Sequence, residues 1–258
     1  MDEKETEIDA SYKLNSTDGL TPLTAILATV VIFFTAQIVA VVIVGIIGGL
    51  MGYTGSDLQN WITDNSTARF FLIFNSVGLS LIFVHWFLKL VNSSWKKIGL
   101  IKPTFKDIGY ALISYGWYLL VFFIVAAFIG AFVPAIDLDQ QQQLGFDEQI
   151  RGLELLYAGI SLVLFPAIYE EVLFRGVLYT GLRKKLSFIA TAVTVSVIFG
   201  IAHLQFGSGA PLLWAAAVDT FILSMVLVYI RDRSSSLWPA IILHGLKNGV
   251  IFIVLFVL

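Results

Sequence analysis

Glu170 and Glu171 stand side by side, with Arg175 four residues on, in an otherwise apolar stretch: Ile168-Tyr169-Glu170-Glu171-Val172-Leu173-Phe174-Arg175. A charge at the centre of a bilayer helix costs about 2.5–3.5 kcal/mol on insertion scales. Three charges so close together therefore mark a water-lined cavity or a chemical site. Two further patterns have the same character. Phe199-Gly200-Ile201-Ala202-His203 closes the next apolar run, and His244-Gly245-Leu246-Lys247-Asn248 lies inside the last one.

Helical spacing separates the roles. Glu171 and Arg175 share a face, with the acid N-terminal to the base, which is the favourable order for an ion pair. Glu170 is turned by about 100° from Glu171. Glu171–Arg175 is therefore assigned to structure and Glu170 to chemistry. Pro166 leaves the carbonyl of Leu162 without its helical donor, which predicts a kink just before the cluster. His244 and Asn248 are also four apart and face one cavity together.

The elements that carry these residues are membrane spans. The chain has 258 residues, 58% hydrophobic and 13% charged, with a mean hydropathy of +0.87. That composition belongs to polytopic membrane proteins rather than soluble globules. The fold class expected is all-α, a polytopic integral membrane bundle of about seven helices. A net charge of −2 argues against a nucleic-acid partner. The absence of cysteine excludes disulfides, thiolate metal ligands and a Cys nucleophile. Seven apolar runs approach the length of about 20 residues that a span needs. They are 22–50, 70–91, 108–133, 153–182, 188–204, 212–230 and 237–258. Residues 1–21 are polar and acid-rich and lack the basic region of a cleaved signal peptide, so the first span is retained.

Basic residues orient these spans. Lys4 and Lys13; Lys89, Lys96, Lys97, Lys102 and Lys106; Arg183, Lys184 and Lys185; and Arg231 and Arg233 fall on one side. Only Arg69 and Arg151 fall on the other. This places the N-terminus in the cytoplasm and the C-terminus outside, in a cell (plasma) membrane. The outer segment from Asp137 to Glu148, with Gln140 to Gln143, reads as a solvated loop. Ser208 reads as part of an outer turn. His85, beside Trp86, reads as interfacial rather than catalytic.

Depth supports one shared site. At about 1.5 Å per residue from the cytoplasmic ends, Glu170 lies about 18 Å deep, His203 about 22 Å, His244 about 10 Å and Asn248 about 16 Å. Asp219 comes out near 16 Å and Lys247 near 15 Å by the same count, which predicts an ion pair between the last two spans. Three parts are expected: a polar cytoplasmic tail over 1–21, scaffold spans over 22–152, and a catalytic core over 153–258.

The three patterns, EExxxR, FxxxH and HxxxN on consecutive apolar runs, resemble the CAAX prenyl endopeptidase type II family. It is also called the CPBP or Abi family of intramembrane proteases. All three motifs occur in order, over about Leu153 to Val254; the first half matches only as a hydrophobic leader. The resemblance implies an intramembrane endopeptidase, with a membrane-associated protein or peptide as substrate and the lipid bilayer as surroundings. The family is read either as metalloproteases or as glutamate-dependent enzymes without metal.

On the metal-free reading, Glu170 with His203 activates a water, and His244 and Asn248 donate to the developing oxyanion. Glu171, Arg175 and Phe199 support the site. The zinc alternative uses His203, His244 and Glu170 as ligands. No HExxH motif accompanies it and Asn is a poor zinc ligand, so no cofactor is favoured. Two non-enzymatic readings stand beside the protease. One is a bacteriocin-immunity-like binding module, which would not need Glu170. The other is a small transporter, which would show inverted repeats that the sequence lacks.

Overall fold

The computed structural model describes residues 18–133, 135–138, 140, 142, 144–205 and 211–258. Most of the acidic tail, Gln141, Gln143 and Ser208 lie outside the described residues. The described chain is helical, with no strand. Long apolar runs leave the backbone no partner in lipid except its own helix, so each becomes one.

Five helices precede or build the first part of the site. They are α1 (Pro22–Leu50), α2 (Gly55–Asp64), α3 (Ser66–Leu90), α4 (Phe105–Phe132) and α5 (Leu153–Arg183). Three follow: α6 (Phe188–Ala202), α7 (Trp214–Ser234) and α8 (Trp238–Phe256). Six of these are long and apolar enough to cross a membrane, and α6 is a shorter apolar helix. The chain is thus a polytopic helical membrane protein. The fifth apolar run is the exception among the expected spans. Its helix has 15 residues, about 22 Å, against a hydrocarbon thickness of about 30 Å. It stops at His203, inside the depth a full span would cross.

The connection between α1 and α3 contains a helix, α2, that the apolar pattern does not reveal. No α2 residue is buried, yet Leu58 and Trp61 pack over Gly48 at the end of α1.

Small residues set the packing. Ala28, Ile32, Ala36, Ala40, Val44 and Gly48 recur every four residues along the buried face of α1. This stripe lets α1 lie close to α3, as small side chains do where no hydrophobic force separates helix from lipid. The α4, α7 and α8 helices form a second packed group around Tyr118, Leu223, Leu227 and Leu243. Many large apolar side chains remain outward, among them Phe34, Phe123, Ile124 and Ile189, as lipid contact requires.

Helix α5 departs from regular α-helical hydrogen bonding in two stretches, the first just before Pro166. Ile160–Leu164 and Glu171–Leu178 have π-helical hydrogen bonding, and Phe165–Glu170 between them is α-helical with Pro166 near its start. Such widened turns absorb a missing donor without ending the helix.

The basic ends of the helices are closed over by the 92–104 segment. Leu237 donates its backbone N–H to Gly99 at 2.9 Å, and Trp238 Nε1 donates to the Ile101 carbonyl at 2.6 Å. Asp18 takes Lys97 at 3.0 Å and also pairs with Lys184. Burial by itself would raise the Asp18 carboxyl, but the hydrogen bonds from Lys184 and Lys97 prevail and hold it below the ordinary aspartate range. His85 belongs to this end too, where its Nδ1 accepts from Trp95 Nε1 at 3.1 Å.

Candidate active site

Glu170, His203, His244 and Asn248 line one cavity of about 180 Å³. The α5 helix supplies Leu162, Pro166 and Glu170, each four residues from the last and so on one face. From α8 come His244, Lys247, Asn248 and Ile251, again one helical face. His203 enters from the end of α6. The four polar residues that depth counting groups together are therefore neighbours in space.

His203 is placed by the way α6 ends. Its backbone N–H turns back to Gly200 at 3.0 Å, leaving the Phe199 carbonyl without its usual partner. The His203 ring takes over that role, with Nδ1 2.7 Å from the Phe199 oxygen. A carbonyl only accepts, so Nδ1 carries the proton and Nε2 has the free lone pair. Gly200 permits the helix to approach α7 here: a Cβ on it would lie 3.0 Å from the Ala217 carbonyl oxygen.

Asn248 meets the backbone gap that Pro166 creates. Its Nδ2 donates to the Leu162 carbonyl at 3.2 Å. That oxygen is the one the proline leaves without a helical donor. The contact fixes the amide plane and leaves the second Nδ2 proton available. Gly245 and Gly249 flank this region, and a Cβ on either would make an ordinary contact of 3.6 Å with α5, at Ala167 and Val163.

Glu171 does more than the helical spacing assigns to it. It pairs with Arg175 Nη1 at 3.0 Å, as expected for an i,i+4 pair, with both side chains fully buried. The same Oε1 lies 2.8 Å from His244 Nδ1. Glu171 thus reaches beyond the ion pair within its own helix, to His244 across the α5–α8 interface. A carboxylate accepts, so Nδ1 is the ring nitrogen that carries a proton in this contact.

Phe199 links the group. Its ring centroid is 4.6 Å from that of His203 and 6.2 Å from that of His244. The Arg175 guanidinium sits 4.4 Å over the same ring. A buried cation that makes one carboxylate hydrogen bond gains further stabilisation from that face. Glu170, in contrast, has Oε2 buried with no hydrogen-bond partner.

Lys247 and Asp219 form the expected ion pair at 2.8 Å. Tyr118 from α4 donates to the other Asp219 oxygen, a contact no sequence pattern signals. A double-mutant cycle on Asp219→Asn and Lys247→Met is expected to be non-additive in thermal stability. The coupling should be about 0.5–3 kcal/mol, the range for residues in one network. Additive losses would mean that the contact contributes nothing to fixing α8.

Among the described residues, no group of three His, Asp or Glu side chains is arranged to hold a metal ion.

Residues 152–250 match a family model described as Type II CAAX prenyl endopeptidase Rce1-like. The matched segment contains α5 to α7, most of α8 and all three motifs. At the family level the match implies a CAAX-type intramembrane endopeptidase. No curated protein and no solved structure matches the chain.

Proposed function

From an Rce1-like segment at residues 152–250, we propose that the chain hydrolyses a peptide bond in a membrane-associated protein or peptide. The observation that carries this reading is the lining of one cavity by Glu170, His203, His244 and Asn248, drawn from three helices. A transporter would show inverted-repeat symmetry between its halves, which the sequence lacks.

Glu170 acts as the general base. Its unpartnered buried oxygen takes a proton from a water in the cavity, and the hydroxyl adds to the scissile carbonyl carbon. The negative charge moves to the carbonyl oxygen. The second Nδ2 proton of Asn248 and a proton on His244 Nε2 donate to it. His203, through Nε2, holds or relays the proton. When the tetrahedral intermediate collapses, the C–N bond breaks and that proton goes to the leaving amine. Glu171, Arg175 and Phe199 are positioning residues, because they act on His244 and His203 rather than on the substrate.

No cofactor enters this scheme. Cleavage is expected to survive dialysis against a strong chelator, measured as the rate of product formation before and after treatment. Loss with chelator and recovery with zinc alone would establish a metal enzyme instead.

The proposal includes an orientation. The N-terminus faces the cytoplasm and the C-terminus the outside of the cell membrane, because the basic residues gather at one end of the helices. The test of function is a comparison of peptide termini in membranes carrying the wild type and Glu170→Ala. Termini that appear only with the wild type support a protease. Identical termini would favour a binding module.

A further inference from the structure

The cavity is closed at one end of the bundle and open at the other. At the basic end, Tyr179, Leu237 and Ile98 are fully buried, and Arg183 and Arg231 nearly so. Tyr179 donates to Asp232, and Arg183 Nε lies 3.3 Å from the same carboxylate. The Arg231 guanidinium covers the Tyr179 ring and presses against Gly99, whose φ of +94° suits glycine. Two arginines, an aspartate, a tyrosine and the 92–104 segment thus plug the route from that side.

At the opposite end lies a second cavity, of about 690 Å³. It is framed by α4 at Phe122 and Ala126, the first turns of α7, the last turns of α8, and described residues of the 138–148 segment. This vestibule and the inner cavity share Gln142, Leu144, Ala216, Asp219, Lys247 and Ile251. The Asp219–Lys247 pair therefore stands at the neck between them.

We propose that substrate reaches Glu170 through this vestibule, from the side opposite the basic loops. The substrate class is then a peptide segment exposed at the outer face of the membrane, not a cytoplasmic tail. It enters extended. A chain at this depth needs partners for its backbone N–H and C=O groups. Gln142, which lines both cavities, offers a donor and an acceptor, and the Asp219–Lys247 pair at the neck adds one of each where it opens to the chain. The vestibule volume is in the range of sites that enclose a ligand of several hundred daltons, enough for a short extended stretch. The inference rests on the hydrolase reading and the orientation given above.

The chain has no cysteine, so single-cysteine variants report access directly. Ala215→Cys and Ala126→Cys place a thiol in the vestibule, and Lys185→Cys places one at the exposed basic end. The probe is a membrane-impermeant sulfonated maleimide added to intact cells. The two vestibule thiols are expected to react before permeabilisation and Lys185→Cys only after it. The vestibule adducts should also abolish the wild-type cleavage pattern, while the Lys185→Cys adduct, made in permeabilised membranes, leaves it intact. Vestibule thiols that react only after permeabilisation, or adducts that leave cleavage unchanged, would overturn the route. If the hydrolase reading itself fails, wild type and Glu170→Gln give the same termini, yet the labelling still decides which side the cavity opens to.

Discussion

Replacing Glu170 with Gln is expected to lower peptide cleavage by about 10²–10⁴-fold, the contribution of a positioned general base. The amide keeps the size of the carboxyl and can still lie in the cavity, but it cannot accept a proton from water. Folding should be spared. Glu170 Oε2 makes no hydrogen bond, the amide oxygen of Gln can keep the bond to Tyr169, and removing a poorly solvated charge does not destabilise a membrane helix. The measurement is the initial rate on a membrane peptide, with thermal stability in detergent followed in parallel. A rate within twofold of wild type, about 0.4 kcal/mol of barrier, would remove Glu170 from the chemistry.

The second large effect belongs to Arg175. Arg175→Met should destabilise the protein by about 3–5 kcal/mol, because it leaves the buried Glu171 carboxylate without its cation. Both partners are fully buried, and the pair lies beside His244 and Phe199. Activity should fall as well, since Glu171 would no longer hold His244 against a balanced charge. Pairing the change with Glu171→Gln should restore much of the stability, as replacing both members of a buried pair is far less costly than removing one. Activity should stay low in the double variant, because the link from Glu171 to His244 is weakened. A single Arg175→Met variant of normal stability and rate would show that the guanidinium neither positions nor stabilises the site.

Much of this arrangement could be read before any coordinates. Membrane helices declare themselves through long apolar runs, and α1, α3, α4, α5, α7 and α8 fall within a few residues of those runs. Grouping by depth also worked, because distance from a helix end depends only on residue count. It brought Glu170, His203, His244 and Asn248 to one cavity and Asp219 to Lys247.

What could not be read depends on rotation and on polar segments. Helix α2 is short and polar, so no apolar run announces it. The bond from Glu171 to His244 crosses two helices whose relative rotation is set by packing and by the π-helical turns of α5. A regular helical wheel has no such turns. Tyr118 is one tyrosine among several in an apolar helix, and nothing in its neighbours points to Asp219. The Leu162 carbonyl was foreseeable as a free acceptor, since Pro166 guarantees it. That Asn248 would be its donor was not, because the partner lies 86 residues away.

The central claim is that water activated by Glu170 cleaves a peptide bond. The most direct test uses purified protein in liposomes made with heavy-oxygen water. The substrates are peptides whose termini appear in wild-type membranes and not in Glu170→Gln membranes. Mass spectrometry of the products should find one heavy oxygen in each newly formed C-terminal carboxyl with the wild type, and no product with Glu170→Gln. Equal labelling by the two proteins, or unlabelled and uncleaved peptide with the wild type, would contradict it.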